Sequence, residues 1–459
     1  MGLKKDRLHS LYRGVRILVK AGLGLFFQRL EVRHAERIPE TGPAVFVANH
    51  PNSIMDAMVL WAVLARKVNY IAHAGLFQGR VKNWFLRNIG VIPVYRRQDD
   101  PDKMEQNLSM FRASYEVLEK GETIGIFPEG TSDMLRKVKQ VKTGAARIVL
   151  ETEARNGYDL GIQLVPLGLH FFSRSHFRSR VLVNVGEPVP LVKYFTQYHS
   201  DPIAGVTALT REIQNRLEKL TVNIQDEELD EFVHALEEIY REELLTEHGR
   251  GTISAFDKFF LSQKIAEGVQ YYQQQRPAVV TAIRDQVASY QRKLARLRLR
   301  DALLRESVRK SRAWHEYGWA ALVTLGGFPF ALYGLLNNLV PYHLAERAAQ
   351  KFVDERTKIL TALLFAGGAA FLVFYTLQVS VVAYYLGGWW ASAYAVSLPA
   401  SGFWALAYLK RVRAYGEHLS FSIFLFTNRH LINRLRLERK RLIKTINSVR
   451  DEFLALHNR

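Results

Sequence analysis

A histidine that closes a short β-favouring run, just before an apolar helical pattern, stands where folds place a general base. Here Val45-Phe46-Val47-Ala48 leads into Asn49-His50-Pro51-Asn52-Ser53, and Asp56 follows six residues after His50. Imidazole exchanges protons near neutral pH, and a nearby carboxylate fixes its tautomer and stabilises the imidazolium. On these residues alone, a surface turn histidine is the competing reading. A second stretch, Asn88 to Arg97, turns at Gly90, runs as a strand and ends on Arg96 and Arg97. A guanidinium grips a phosphate with two parallel hydrogen bonds and keeps its charge; a solvated basic loop is the alternative. A third, Gly125 to Asp133, ends a strand in Phe127-Pro128-Glu129-Gly130. Gly130 lets the backbone turn, and Thr131 and Ser132 offer hydroxyls to an anion. Lys137, Lys139 and Lys142 add charge, unless the segment is simply a tight corner with Glu129 in solvent. The fourth, Val165-Pro166-Leu167-Gly168-Leu169-His170, is apolar and reads as a buried strand or the wall of an apolar cavity.

The elements that must position these residues alternate. Ala44–Ala48, Val68–Ala72, Val91–Tyr95, Thr123–Phe127, Ile162–Pro166 and Val181–Val185 read as strands. Ala57–Leu64, Met104–Leu118 and Ala145–Glu153 read as helices. Strands alternating with helices predict an α/β fold, a sheet with helices on its faces, and ligands at the ends of its strands. His50 lies at such an end.

The chain has 459 residues, a net charge of +19 and no cysteine. Disulfides, thiolate metal sites and a cysteine nucleophile are thereby excluded, and the charge calls for an anionic partner: nucleic acid, phosphorylated substrate or anionic lipid. Residues 1–30 fit an amphipathic helix lying on a membrane, with Arg13, Arg16 and Lys20 on one face and Leu18, Leu23, Leu25 and Phe26 as apolar surface. A surface helix packed on the domain fits equally.

Taken together, the four blocks resemble the glycerolipid acyltransferase superfamily, typified by lysophosphatidic acid and glycerol-3-phosphate acyltransferases. The matching residues are His50/Asp56, Gly90/Arg96, Phe127–Gly130 and Val165/Pro166, in that order. The usual spacing in that family is one residue shorter between His and Asp, so the extra residue must be absorbed in the corner, at Pro51-Asn52. The longer spacing and Ser132-Asp133 resemble the fungal-type glycerol-3-phosphate/dihydroxyacetone-phosphate subset. The resemblance implies acyl transfer from acyl-CoA or acyl carrier protein to a hydroxyl of glycerol-3-phosphate or 1-acyl-glycerol-3-phosphate. His50 would act as base and Asp56 as its orienting partner. Arg96, Arg97, Glu129, Gly130, Thr131, Ser132 and Lys142 would hold the acceptor and its phosphate, with Glu129 on a hydroxyl or a cationic side chain. Val165 and Pro166 would line an acyl pocket. No metal or cofactor is implied beyond the thioester co-substrate. A catalytically silent lipid-binding scaffold of the same fold is the alternative.

Residues 31–200 are thus expected to form the catalytic domain. Residues 201–312 read as basic helices, with Val206, Leu209, Ile213, Leu217 and Leu220 repeating at three and four. Their densest charge, Arg292 to Arg312, lies next to apolar segments, as headgroup-binding charge does; no base-reading motif favours nucleic acid. Residues 313–345, broken by Pro329 and Pro341, suggest a re-entrant or interfacial element. Residues 357–410 suggest a transmembrane hairpin, Ile359–Leu386 and Trp389–Tyr408, with basic flanks at both ends. Residues 411–459 form a basic helical tail. A membrane location with the catalytic domain on the cytoplasmic face is expected, at the inner membrane of a bacterium or the endoplasmic reticulum of a eukaryote.

Overall fold

The computed structural model describes residues 2–96, 101–133, 135–173, 176–224, 226–247, 255–297, 299–305, 313–352 and 355–457. The chain divides into two compact units. One comprises Met1–Asp230, Ile253–Gln263 and Val353–Thr361; the other comprises Glu231–Thr252, Lys264–Phe352 and Ala362–Arg459.

The first unit is built on a seven-stranded sheet. In chain order its strands are β1 (Arg29–Arg33), β2 (Ala44–Ala48), β3 (Val68–His73), β4 (Ile92–Val94), β5 (Thr123–Ile126), β6 (Gln163–Phe171) and β7 (Arg180–Val185), arranged β1-β7-β6-β2-β5-β3-β4. β6, β2, β5, β3 and β4 are mutually parallel, whereas β7 runs antiparallel to β6 and carries β1 parallel to itself. β1 carries no strand signal in the sequence. It is half exposed at the edge and lacks the apolar run that marks the inner strands. β2 is buried along its whole length, as a central parallel strand must be when both faces are covered.

Helices α1 (Gly2–Phe26), α2 (Ile54–Val63), α3 (Arg80–Asn88), α4 (Asn107–Glu119), α5 (Gly144–Arg155), α6 (Val192–Ser200) and α7 (Pro202–Leu220) accompany the sheet. Parallel strands need such crossovers, and the result is that the loops after β2, β3, β4 and β5 leave from one edge. α7 extends the first unit beyond residue 200: Leu209, Ile213 and Leu217 are fully buried in the core with Val45, Ile124 and Leu164. Each such side chain contributes roughly 1.5–3 kcal/mol by burial. The approach is close, for a Cβ on Gly168 would lie 2.2 Å from the Leu220 carbonyl oxygen.

α1 packs on α2 and α3. Its basic residues do not share one outward face. Arg13 and Lys20 are exposed, but Arg16 turns inward and donates to the carbonyls of Leu64 and, at 2.8 Å, Ala65. These carbonyls close the C-terminal end of α2, where a cation is favoured. A spacing of three and four identifies a face but not the direction in which it points.

The second unit is helical. It takes most of α8 (Glu227–Glu247) and α9 (Ala255–Gln275), then α10 (Pro277–Arg296), α11 (Asp301–Arg305), α12 (Ala313–Phe352), α13 (Ile359–Leu386), α14 (Gly388–Thr427) and α15 (Arg429–His457). Within the expected basic run, Arg298 and residues 306–312 lie outside the described residues. Asp301 is buried there and accepts from Tyr290 at 2.6 Å and Arg439 at 2.9 Å. The segment expected to be re-entrant or interfacial lies in one unbroken helix, α12, running through Pro329 and Pro341. Proline removes one backbone hydrogen bond, and apolar helices tolerate that loss when neighbours satisfy the freed carbonyl. Among the described residues, Val323–Lys351 and Ile359–Leu386 are long and apolar enough to cross a membrane. The expected partner Trp389–Tyr408 lies inside α14. α12, α13 and α14 share polar contacts: Tyr375 donates to the Asn338 side chain at 2.5 Å and Tyr394 to that of Asn337 at 2.6 Å.

Candidate active site

β2 delivers the histidine. Just past the strand, the Asn49 amide donates to the Leu169 carbonyl at 3.0 Å and accepts the Leu169 N–H at 2.7 Å. This pair prolongs the β2–β6 contact by side chain and aims the next residue out of the sheet. The chain then turns sharply at Ser53, whose φ of 51° and ψ of −129° belong to a turn position normally held by glycine. The sharp turn of the corner that accommodates the longer His50–Asp56 spacing thus lies at Ser53, directly after Pro51-Asn52. Asp56 falls in the first turn of α2, where the helix dipole favours negative charge. Its Oδ2 accepts from His50 Nδ1 at 2.9 Å and from the Asn52 N–H at 2.7 Å. The Asp56 side chain is 0% exposed and that of His50 is 15% exposed. A carboxylate so placed requires the proton on Nδ1, which leaves Nε2 as the basic atom.

The loop after β5 completes the corner. The Phe127 ring stacks on the imidazole at 4.2 Å between centroids and 17° between planes. Glu129 is buried, accepting the His50 N–H at 2.9 Å on one oxygen and the Lys139 N–H at 3.0 Å on the other. It holds two backbone amides, contrary to the expected hydroxyl or cationic side chain, and ties the end of β2 to the segment after β5. Burial pushes its carboxyl above the usual range, and the two N–H bonds only partly offset that. Replacing Glu129 with alanine is expected to leave two buried N–H groups without acceptors. Each costs about 1–3 kcal/mol, so urea melts should show a midpoint shift with unchanged m. The raised acid also fixes a pH trend: its stabilising contribution is complete below the ordinary glutamate value and is lost as pH rises through the raised one. Wild type should accordingly lose ground to Glu129→Gln as pH rises across that interval.

The remaining expected residues are dispersed. Gly130 has φ of +74°, and a Cβ there would lie 2.7 Å from Lys142 Nζ, so the exposed Lys142 amine lies against it. Thr131 accepts from Lys139 Nζ at 3.3 Å, and Ser132 donates to Thr357 at 3.2 Å; both hydroxyls already have protein partners. Arg96 is half-buried just past β4. β4 stands three strands from β2, about 14 Å away at ~4.8 Å per strand. Arg97 lies outside the described residues. Val165 and Pro166 are buried inside β6, paired with Phe46 and Val47; they are sheet core and do not line the cleft at His50. That cleft is lined instead by Arg136, Lys137 and His170, together with Asn49, Glu129 and Thr221. Arg136 pairs with Asp230. Lys137 stands out in the sequence by its charge; nothing in the local pattern singles out Arg136, and His170 sits in an apolar strand pattern.

Residues 29–170 match the family model described as Acyltransferase. This part of the chain belongs to the acyltransferase family. Several curated relatives of the acyltransferase domain are similar. Glycerol-3-phosphate O-acyltransferase 2 of Saccharomyces cerevisiae is 32% identical over 29% of this chain and 18% of its own length. An uncharacterized acyltransferase of Schizosaccharomyces pombe is 24% identical over 61% of this chain and 53% of that one. A chloroplastic 1-acyl-sn-glycerol-3-phosphate acyltransferase of Arabidopsis thaliana is 28% identical over 31% of this chain and 36% of that one. The chain thus spans about half or less of these relatives. A solved structure of the 1-acyl-sn-glycerophosphate acyltransferase of Thermotoga maritima aligns at 21% identity, over 47% of this chain and 82% of that one, with a TM-score of 0.35.

Proposed function

We propose that the protein is a membrane-bound O-acyltransferase that moves a fatty acyl group from an acyl-CoA or acyl carrier protein thioester to a hydroxyl of glycerol-3-phosphate, or of its 1-acyl form, in phospholipid synthesis. The observation that carries this reading is the His50–Asp56 pair, with Nδ1 engaged and the ring facing a cleft that also holds Arg136 and Lys137. Nε2 removes the proton from the acceptor hydroxyl as its oxygen attacks the thioester carbonyl. The C–S bond breaks, the thiolate leaves and takes up the proton from the imidazolium, and an ester forms. A thioester is already activated, so His50, Asp56 and orientation of the two substrates suffice without metal or cofactor. The cations of the cleft favour an acceptor carrying phosphate over a neutral alcohol. The two long apolar helices support attachment to a membrane. The intact pair argues against a silent scaffold, which has no use for an oriented base.

Thiol release from acyl-CoA by the purified protein, with glycerol-3-phosphate, its 1-acyl form and dihydroxyacetone phosphate in turn, tests the reading. Turnover with none of them would end it. Lys137→Ala should raise the acceptor KM about tenfold with little change in kcat, the value of one charge-assisted contact to phosphate. An unchanged KM would return the phosphate to Arg96 and the β4 side.

A further inference from the structure

α3 and the short turn before it present apolar side chains to solvent that the sheet does not use. Val81 is 79% exposed and Trp84 is 60% exposed, and Leu76 joins them. The opposite side of the helix is spent on the domain, with Ile89 buried and Phe85 and Leu86 half-buried. Arg80, Lys82 and Arg87 are exposed beside the apolar group, and no acidic residue occurs between Asp56 and Asp99. α1, which packs on α3, repeats the pattern: Ile17 is 69% exposed and Leu18 is 72% exposed, with Arg13 and Lys20 outward. One-sided basic charge around protruding valine, leucine and tryptophan matches an anionic bilayer surface, where apolar tips enter the acyl boundary, tryptophan sits at headgroup level and cations meet lipid phosphate.

We propose that α3 docks the first unit onto an anionic lipid surface, inserting Leu76, Val81 and Trp84 at the edge of the sheet that carries His50. α3 follows β3, which is parallel to β2, so its loop leaves from the same edge as the histidine. Docking there puts the reacting edge where acyl chains are found. It deepens the acyltransfer reading and depends on that reading for purpose, though not for geometry.

The absence of cysteine makes the test direct. Val81→Cys and Leu76→Cys, each carrying a nitroxide, are compared in the full chain reconstituted into phosphatidylcholine vesicles with and without phosphatidylglycerol. Lys120→Cys is the control; Lys120 ends α4 at the opposite edge, just before β5. Collision with oxygen relative to a water-soluble nickel chelate reports immersion. The expected result is a ratio several-fold higher at 76 and 81 than at 120, rising further with phosphatidylglycerol and falling as salt screens the cations. Nickel accessibility at 76 and 81 equal to that at 120 overturns the proposal. So does spin–spin broadening that grows with protein density without a gain in oxygen collision, which would make a second copy the occupant. Thiol release measured on the same vesicles separates the two readings: turnover without immersion removes the docking surface alone, and immersion without turnover removes the activity alone.

Discussion

Replacing His50 with alanine should lower kcat by about 10³-fold, a loss of about 4 kcal/mol of transition-state stabilisation. The acceptor KM and the unfolding midpoint should stay near wild type. The ring lies at the wall of a cleft, its backbone N–H bond to Glu129 survives the substitution, and its removal leaves open space. Asp56 loses the Nδ1 donor but keeps the Asn52 N–H. Single-turnover thiol release with saturating acyl-CoA measures the chemical step directly. Wild-type turnover from a folded His50→Ala protein would remove the imidazole from the reaction.

Asp56→Asn should cost about 10²–10⁴-fold in kcat for a different reason. The amide has nearly the shape of the carboxylate, so packing is kept. The same oxygen, Oδ2, takes both the Asn52 N–H and His50 Nδ1, so an amide oxygen there keeps both bonds but carries no charge. The imidazole then keeps its orientation, but the imidazolium formed as it takes the proton loses the carboxylate charge that stabilises it. Asp56→Ala adds a cavity and an orphaned buried N–H, so only that variant should also lose about 1–3 kcal/mol of stability. An Asp56→Asn enzyme as fast as wild type would reduce the carboxylate to a helix-start residue.

The corner was legible because it is local. A central parallel strand must be apolar throughout, so Ala44–Ala48 reads off the sequence, and the polar break after it marks where side chains emerge. What the corner touches was not legible. The cleft takes Arg136 and Lys137 from the segment after β5, His170 from β6 and Thr221 from the end of α7, and no periodicity links positions so far apart. Glu129 shows the same limit: its type suggested a ligand contact, while its burial and two amide partners depend on how two loops approach each other. Arg16 and α12 show the converse. A one-sided spacing and two prolines are real signals, but whether a face turns inward, or a proline ends a helix, is decided by neighbours.

Because one carboxylate takes both the His50 amide and the Lys139 amide, and the Asp133 N–H donates to the His50 carbonyl, residues 49–53 and the segment after β5 are fastened to each other. Substitutions in the two segments will not sum, and a variant tolerated in one background can be ruinous in another. Efforts to redirect acceptor choice will therefore have to diversify both segments in the same library, since a change selected in either alone carries the other's geometry with it.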